Sequence, residues 1–180
     1  MSDDTPSNDC PARELAEVIL DWTRAFCRDE LGLDIALPAA SPENPNRLHL
    51  RDVTAIVGLG GEANTFIAFS LDVALADHVA ATMTAGIDVS DMDAESLRED
   101  ATGELVNTIV GNATTDLEQK GRRISLTPPV VLFGQQRIYR NRDAVFRHIS
   151  CETGCGGMDI NLVGPQTLFD EQLNYVGSTR

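Results

Sequence analysis

The stretch from Asp93 to Gly121 is the part of this chain that most restricts how it folds. Apolar residues recur in it at every fourth position, and two further valines widen the stripe. Such spacing predicts one long helix with a single face packed on a core. Residues 90–93 offer N-cap chemistry for the start of this helix, and Gly121 is suited to end it. The predicted buried residues are Leu97, Ala101, Leu105, Val106, Ile109, Val110, Ala113 and Leu117.

The opposite side of this helix is polar. At about 100° per residue, Asp100, Glu104, Asn107 and Gly111 fall roughly opposite the centre of the apolar stripe. Glu104 and Asn107, three residues apart, therefore point the same way. A glycine inside a helix costs about 1 kcal/mol relative to alanine, and its missing side chain lets another molecule approach the backbone. By itself, a polar outer face is typical of any surface helix.

The rest of the chain alternates between helical and strand patterns. A first helix is predicted from Pro11 up to Gly32, and a second within residues 71–85. Strands are predicted at residues 48–57, 65–71, 123–133, 144–151 and 158–163, with Gly58–Gly61 as a hairpin turn. Pro128 and Pro129 place the third of these strands at an edge or a bend. The order favours an α+β fold, in mixed α/β layers, with helices packed on a sheet.

The length of 180 residues is that of one domain. We expect residues 1–9 to be a disordered tail and residues 10–180 to form the domain. Within it, residues 164–180 favour neither a short helix nor an extra edge strand over the other. No apolar run approaches the ~20 residues that cross a bilayer, and the acidic N-terminus is unlike a secretory signal. The cytoplasm is the expected compartment.

The charge balance excludes two classes of partner. The chain has 28 acidic and 14 basic residues, a formal net charge of -14. Nucleic acids and anionic membranes bind to basic patches, so neither is expected as a partner.

Cys151 and Cys155, with three residues between them, raise the alternative of a metal ligand pair or a redox pair. No histidine or second cysteine pair lies near them in sequence to complete a tetrahedral site. Cys151 follows a strand pattern and Cys155 precedes a glycine pair typical of a hairpin turn. We expect both cysteines to be structural, and no metal to be bound by this chain.

Several motifs, taken in their order and spacing, resemble the CheC/CheX/FliY family of chemotaxis phosphatases, and the CheX branch in particular. They are Asp100, Glu104 and Asn107, then Gly111-Asn112-Ala113, then Thr127-Pro128-Pro129-Val130 with Gly134. The GLGG hairpin, the alanine-rich helix after FSLD and the ETGCGGMDINLV hairpin also have counterparts in that branch. The resemblance covers roughly residues 48–163. The family pattern places its proline slightly farther from the asparagine than Pro129, so the strand there is expected to be shifted by one residue.

The resemblance implies a CheC/CheX-like fold with a mostly antiparallel sheet, and a phosphatase acting on the aspartyl phosphate of a CheY-like receiver domain. It implies that Asn107 places the attacking water and that Glu104 contacts a lysine of the regulator, with Asp100 and Gly111 at the docking surface. The Mg²⁺ belongs to the partner, so this chain needs no cofactor of its own. Family members with one motif are typically homodimers built through sheet edges, so a homodimer is expected.

Two other functions stay open from the sequence. The same fold also serves as a non-catalytic adaptor that binds a response regulator or a flagellar or stress-signalling component. A redox or metal sensor acting through Cys151 and Cys155 is the third candidate. The pairing of Glu104 with Asn107 favours the enzyme, because a pure adaptor does not need that pair.

Overall fold

The computed structural model describes residues 11–38 and 45–165. Three helices and eight strands lie within these ranges. The helices are α1 (Pro11–Asp29), α2 (Val73–Met83) and α3 (Ala94–Gln119). The strands are β1 (Arg47–Leu50), β2 (Val53–Gly61), β3 (Thr65–Leu71), β4 (Ile124–Leu126), β5 (Val130–Phe133), β6 (Gln136–Tyr139), β7 (Ala144–Thr153) and β8 (Gly156–Pro165). The predicted tail (residues 1–9) and most of the ambiguous segment (residues 166–180) lie outside the described ranges.

Six of these strands form one antiparallel sheet. Its order is β4–β2–β3–β8–β7, and β5 pairs with the same side of β2 as β4, nearer the start of that strand. The strands β1 and β6 form a separate antiparallel pair. The predicted α+β fold with helices on a mostly antiparallel sheet is therefore confirmed.

The helices form a layer on one face of the large sheet. α3 lies over β2, β4 and β5, α2 lies over β8 and beside α3, and α1 packs against α3. The apolar stripe of α3 faces inward as predicted, with Leu97 half-buried and the other seven residues buried. Asp93 caps the helix through a hydrogen bond from the Ser96 N–H at 2.9 Å, and Gly121 follows its end with a φ of 88°. None of the described helices combines the length and apolar character that a membrane span requires.

The turn predicted at Gly58–Gly61 is wrong. β2 continues through Gly61, and the chain reverses afterwards, around Asn64. The glycines serve close packing inside the strand, since a Cβ on Gly58 would lie 3.2 Å from the Thr127 side chain. A glycine-rich sequence in a strand marks such a close approach as readily as it marks a turn.

The strand predicted at residues 48–57 is divided in two by Arg51 and Asp52. The side chain of Arg51 forms a two-pronged ion pair with Asp159 on β8, at 2.8 and 3.1 Å. Gly157 makes room for it, because a Cβ there would overlap the guanidinium group. The strands on either side of Arg51 belong to different sheets, since β1 pairs with β6 and β2 pairs with β3, β4 and β5. The partner of β1, the strand β6, was not predicted.

Candidate functional site

The outer face of α3 presents the four predicted site residues together. Asp100, Glu104 and Asn107 are exposed, and Gly111 is half-buried. Residues three or four apart on a helix have Cβ atoms about 5–6 Å from each other. Glu104 and Asn107 are therefore neighbours on one surface, as the helical period predicted.

A short link between two strands lies opposite this face. β4 and β5 both pair with β2, and Thr127, Pro128 and Pro129 connect them. The Gly58 N–H donates to Thr127 Oγ1 at 2.8 Å, and the Thr127 N–H donates to the Gly58 carbonyl oxygen at 2.9 Å. These two bonds hold the link against β2, and the two prolines have no N–H left to satisfy. The edge or bend predicted at Pro128–Pro129 is confirmed.

A groove of about 760 Å³ separates α3 from this link. We call it the catalytic-side groove. Its helix wall is formed by Glu99, Asp100, Gly103, Glu104 and Asn107. Its strand wall is formed by Leu126, Thr127, Pro128, Pro129, Val130 and Val131. Three carboxylates therefore face a mainly apolar wall, and none of the lining residues is basic.

Gly103 is a residue of this groove that sequence reasoning missed. A Cβ at this buried position would lie 3.7 Å from Val131 Cγ2 and 3.9 Å from Pro129 Cγ, which are ordinary contact distances. Any side chain larger than a methyl would push α3 away from the link. The signal was present in the sequence, because Gly103 is a second costly glycine in the same helix, directly before Glu104.

Glu104 and Asn107 differ in what holds their side chains. Thr108 Oγ1 donates to Glu104 Oε1 at 3.4 Å, a long hydrogen bond across one turn of α3. Among the described residues, no hydrogen bond engages the Asn107 side chain. Its amide, which has both a donor and an acceptor, therefore faces solvent with its full bonding capacity.

Gly111 leaves an open patch at the next turn. Nothing lies within 4 Å of the position that a Cβ would occupy there. The Gly111 carbonyl oxygen accepts hydrogen bonds from Thr114 Oγ1 and Thr115 Oγ1, each at 2.9 Å. The absence of a side chain at Gly111 is therefore not required by packing within the protein.

The two cysteines of the alternative hypothesis lie at the β7–β8 hairpin. Cys151 is fully buried, and desolvation raises the pKa of its thiol to about 12, with a smaller contribution from nearby Cys27. Such a thiol stays protonated at neutral pH and is a poor nucleophile. Cys155 is half-buried in the turn and shares no metal-ligand cluster with Cys151 in the described ranges. This environment disfavours a redox role for Cys151.

Comparison with known proteins places these features in a family context. The family model described as chemotaxis phosphatase CheX matches residues 53–151. The CheY-P phosphatase CheX of Thermotoga maritima is 28% identical over 111 residues, which span 60% of this chain and 68% of that protein.

Solved structures with the same fold were also found. A chemotaxis protein CheX from Desulfovibrio desulfuricans has a TM-score of 0.70 at 24% identity, covering 83% of this chain and 97% of that one. A CheX–CheY–BeF3–Mg complex from Borrelia burgdorferi contains a chain with a TM-score of 0.58 at 20% identity, covering 83% and 97%.

Proposed function

Since this chain belongs to the CheX family of chemotaxis phosphatases, we propose that it hydrolyses the aspartyl phosphate of a CheY-like receiver domain. The observation that supports this function best is the unengaged Asn107 amide, exposed one helical turn from Glu104 at the rim of the catalytic-side groove. The curated relative from Thermotoga maritima carries the name of a CheY-P phosphatase, which agrees with the proposal.

Asn107 is the residue to which we assign the placement of water. An acyl phosphate is already activated, so catalysis consists mainly of holding a water molecule in line with the breaking bond. The carbonyl oxygen of the amide accepts a hydrogen bond from that water, and its NH₂ group is left to donate to the receiver. A short side chain on a rigid helix keeps this geometry better than a long one on a loop.

Glu104 is assigned to docking. A carboxylate reaching a lysine of the receiver makes a charge-assisted hydrogen bond, which fixes the orientation of the two proteins. The Thr108 hydroxyl, 3.4 Å from Glu104 Oε1, favours one position of that carboxylate. Asp100 is assigned to the rim of the docking surface, and Gly111 to close approach of the partner's backbone.

The acidic residues of the catalytic-side groove indicate which of the two proteins supplies the positive charges for catalysis. Glu99, Asp100 and Glu104 would repel a phosphoryl group that arrived alone. We therefore assign the neutralising charges, Mg²⁺ and the lysine, to the receiver, and no cofactor to this chain. Docking then rests on short-range contacts rather than on long-range attraction.

The assembly and the compartment follow from the same proposal. A homodimer through a sheet edge fits the outer strand β5, whose Leu132 is 39% exposed and is not a lining residue of the catalytic-side groove. Unpaired edge strands with apolar side chains are ready to pair with another chain. Because its substrate is a regulator of two-component signalling, we place the protein in the cytoplasm.

The test is phosphate release from receiver domains of the same organism, phosphorylated by a small phosphodonor in the presence of Mg²⁺. We expect wild-type protein to accelerate release, and Asn107→Ala to remove about a hundredfold of that acceleration while still binding the receiver. Gln119→Ala, which shortens another exposed amide at the far end of α3, is the matched control and should keep the full rate. Binding without acceleration by the wild-type protein would replace the enzyme with the adaptor.

A further inference from the structure

A second groove lies on the other flank of α3. It has a volume of about 450 Å³ and lies between α1, the end of α2 and α3. We call it the helical groove. Its large apolar lining residues include Trp22, Phe26 and Met83, and its polar ones include Asp29 and Glu30.

The Trp22 ring is held in place by a specific contact. Its Nε1–H donates to Asp116 Oδ2 on α3 at 2.7 Å, which ties α1 to α3 beside the groove. A fixed, half-buried tryptophan is the type of residue that dominates protein–protein binding, since it loses little entropy and offers a large apolar area. The helical groove is therefore shaped before any ligand arrives.

The helical groove is continuous with the proposed catalytic face. Thr108 lines it and also bonds Glu104, while Asn112, another lining residue, follows Gly111 directly. The exposed ridge of α3 thus runs between the two grooves. A protein partner of standard interface size buries about 800 Å² on each side, which is far more than one turn of a helix. A receiver that contacts Glu104 and Asn107 therefore extends over the flanks of α3.

The charge of the groove selects the chemistry of its occupant. Asp29 is paired with Arg28 at 2.7 Å, and this hydrogen bond lowers the pKa of the Asp29 carboxyl. Within the described ranges, the exposed Glu30 carboxylate forms no ion pair. No lining residue of the groove is basic. An apolar pocket beside an uncompensated carboxylate fits an apolar side chain flanked by a lysine or arginine.

We propose that the helical groove is a second docking pocket for the receiver domain, taking an apolar side chain of the receiver with a neighbouring basic residue at Glu30. This inference rests on the proposed function, because it assigns partner specificity to a part of the same surface. It separates the two tasks of α3, with the catalytic-side groove serving turnover and the helical groove serving recognition.

Steady-state kinetics at varied receiver concentration test this assignment. Ala25 is a half-buried residue in the wall of the helical groove, and Ala25→Trp places a large side chain there. Glu30→Arg reverses the charge at the rim of the groove. We expect each variant to raise KM about tenfold and to leave kcat within twofold of wild type. Glu118→Arg, an equal charge reversal at an exposed position outside both grooves, should leave KM unchanged. KM values within twofold of wild type for both groove variants would overturn the proposal.

Photo-crosslinking identifies the occupant directly. A photoreactive amino acid in place of Asn112 is irradiated with the beryllofluoride-activated receiver, and the crosslinked peptides are mapped by mass spectrometry. Crosslinks to the receiver support the proposal, while crosslinks only to a second copy or to residues 166–180 of this chain overturn it. If wild-type protein binds the receiver without releasing phosphate, the proposed function fails. The crosslinks and the affinity of Glu30→Arg for the receiver then still show whether the receiver docks in the helical groove.

Discussion

Two glycines lie within α3, and their environments are opposite. Gly103 is buried, and the Val131 and Pro129 side chains lie at contact distance from its missing Cβ. Gly111 faces open space. At the residue scale, the first glycine is explained by packing within the chain, whereas the second has no intramolecular explanation. This difference makes Gly111 a direct probe of docking.

Replacing Gly111 with alanine should separate folding from function. Alanine removes the conformational cost of glycine in a helix and meets no neighbouring atom, so the free energy of unfolding should rise by up to about 1 kcal/mol. If the receiver approaches the backbone there, the same methyl group should raise KM for the phosphorylated receiver severalfold. Thermal unfolding and phosphate-release kinetics measure the two effects. A stabilised variant with wild-type KM would remove Gly111 from the docking surface.

At the scale of elements, one side chain joins the start of α2 to the β7–β8 hairpin. Asp72 Oδ1 accepts the Leu75 N–H at 2.9 Å as the N-cap of α2. Its Oδ2 accepts the Gly157 N–H at 2.6 Å, across 85 positions of sequence. A Cβ on neighbouring Gly156 would overlap this carboxylate, so the glycine pair in the hairpin is needed for the contact. The hairpin and the helix are thus joined by this carboxylate together with the Asp72 N–H, which donates to the Gly157 carbonyl oxygen at 3.1 Å.

The Asp72→Ala variant should lower the free energy of unfolding by about 2 kcal/mol, because it removes a helix cap and leaves the Gly157 N–H without its acceptor. Asp72→Asn keeps one acceptor oxygen and should lose roughly half as much. Chemical denaturation measures both values. A loss below about 0.5 kcal/mol for the alanine variant would show that other groups or water satisfy these donors.

At the scale of the whole molecule, Arg51 connects three parts of the fold. It stands between β1 and β2, pairs with Asp159 on β8, and lies 3.3 Å from Glu152 on β7 and 3.7 Å from Asp72. The hydrogen bond that Arg51 donates to Asp159 raises the pKa of the Arg51 guanidinium, which therefore stays charged at every physiological pH. The Asp159 side chain is only 9% exposed, so Arg51 replaces part of the solvation that its carboxylate loses on burial.

Arg51→Met should destabilise the protein by about 3 kcal/mol, since it leaves the buried Asp159 carboxylate without its main counter-charge. Adding Asp159→Asn should recover part of that loss, and the double-variant cycle measures the coupling between the two residues. Arg47→Met, at an exposed position on β1, is the control and should change stability by less than about 0.5 kcal/mol. Additive effects of the two substitutions would contradict a stabilising interaction between Arg51 and Asp159.

The sequence by itself determined α3 and the direction of its side chains. A helix has a fixed period, so the buried stripe and the exposed Asp100, Glu104 and Asn107 follow from spacing alone. Local chemistry marks its ends, at residues 90–93 and at Gly121. The resemblance to the CheX family rested on these same local motifs, and the family was then confirmed by the match to residues 53–151. The roles of Glu104, Asn107, Asp100 and Gly111 stay predictions.

Only the tertiary structure decided what lies on either side of that helix. The Thr127 link is held by bonds to Gly58, 69 positions away, and Arg51 finds Asp159 at a separation of 108. Contacts of this kind depend on which strands become neighbours, and no period in the sequence encodes that pairing. The role of Gly103, the break between β1 and β2, and the two grooves beside α3 therefore appear only when the sheet has formed and α3 has packed against it.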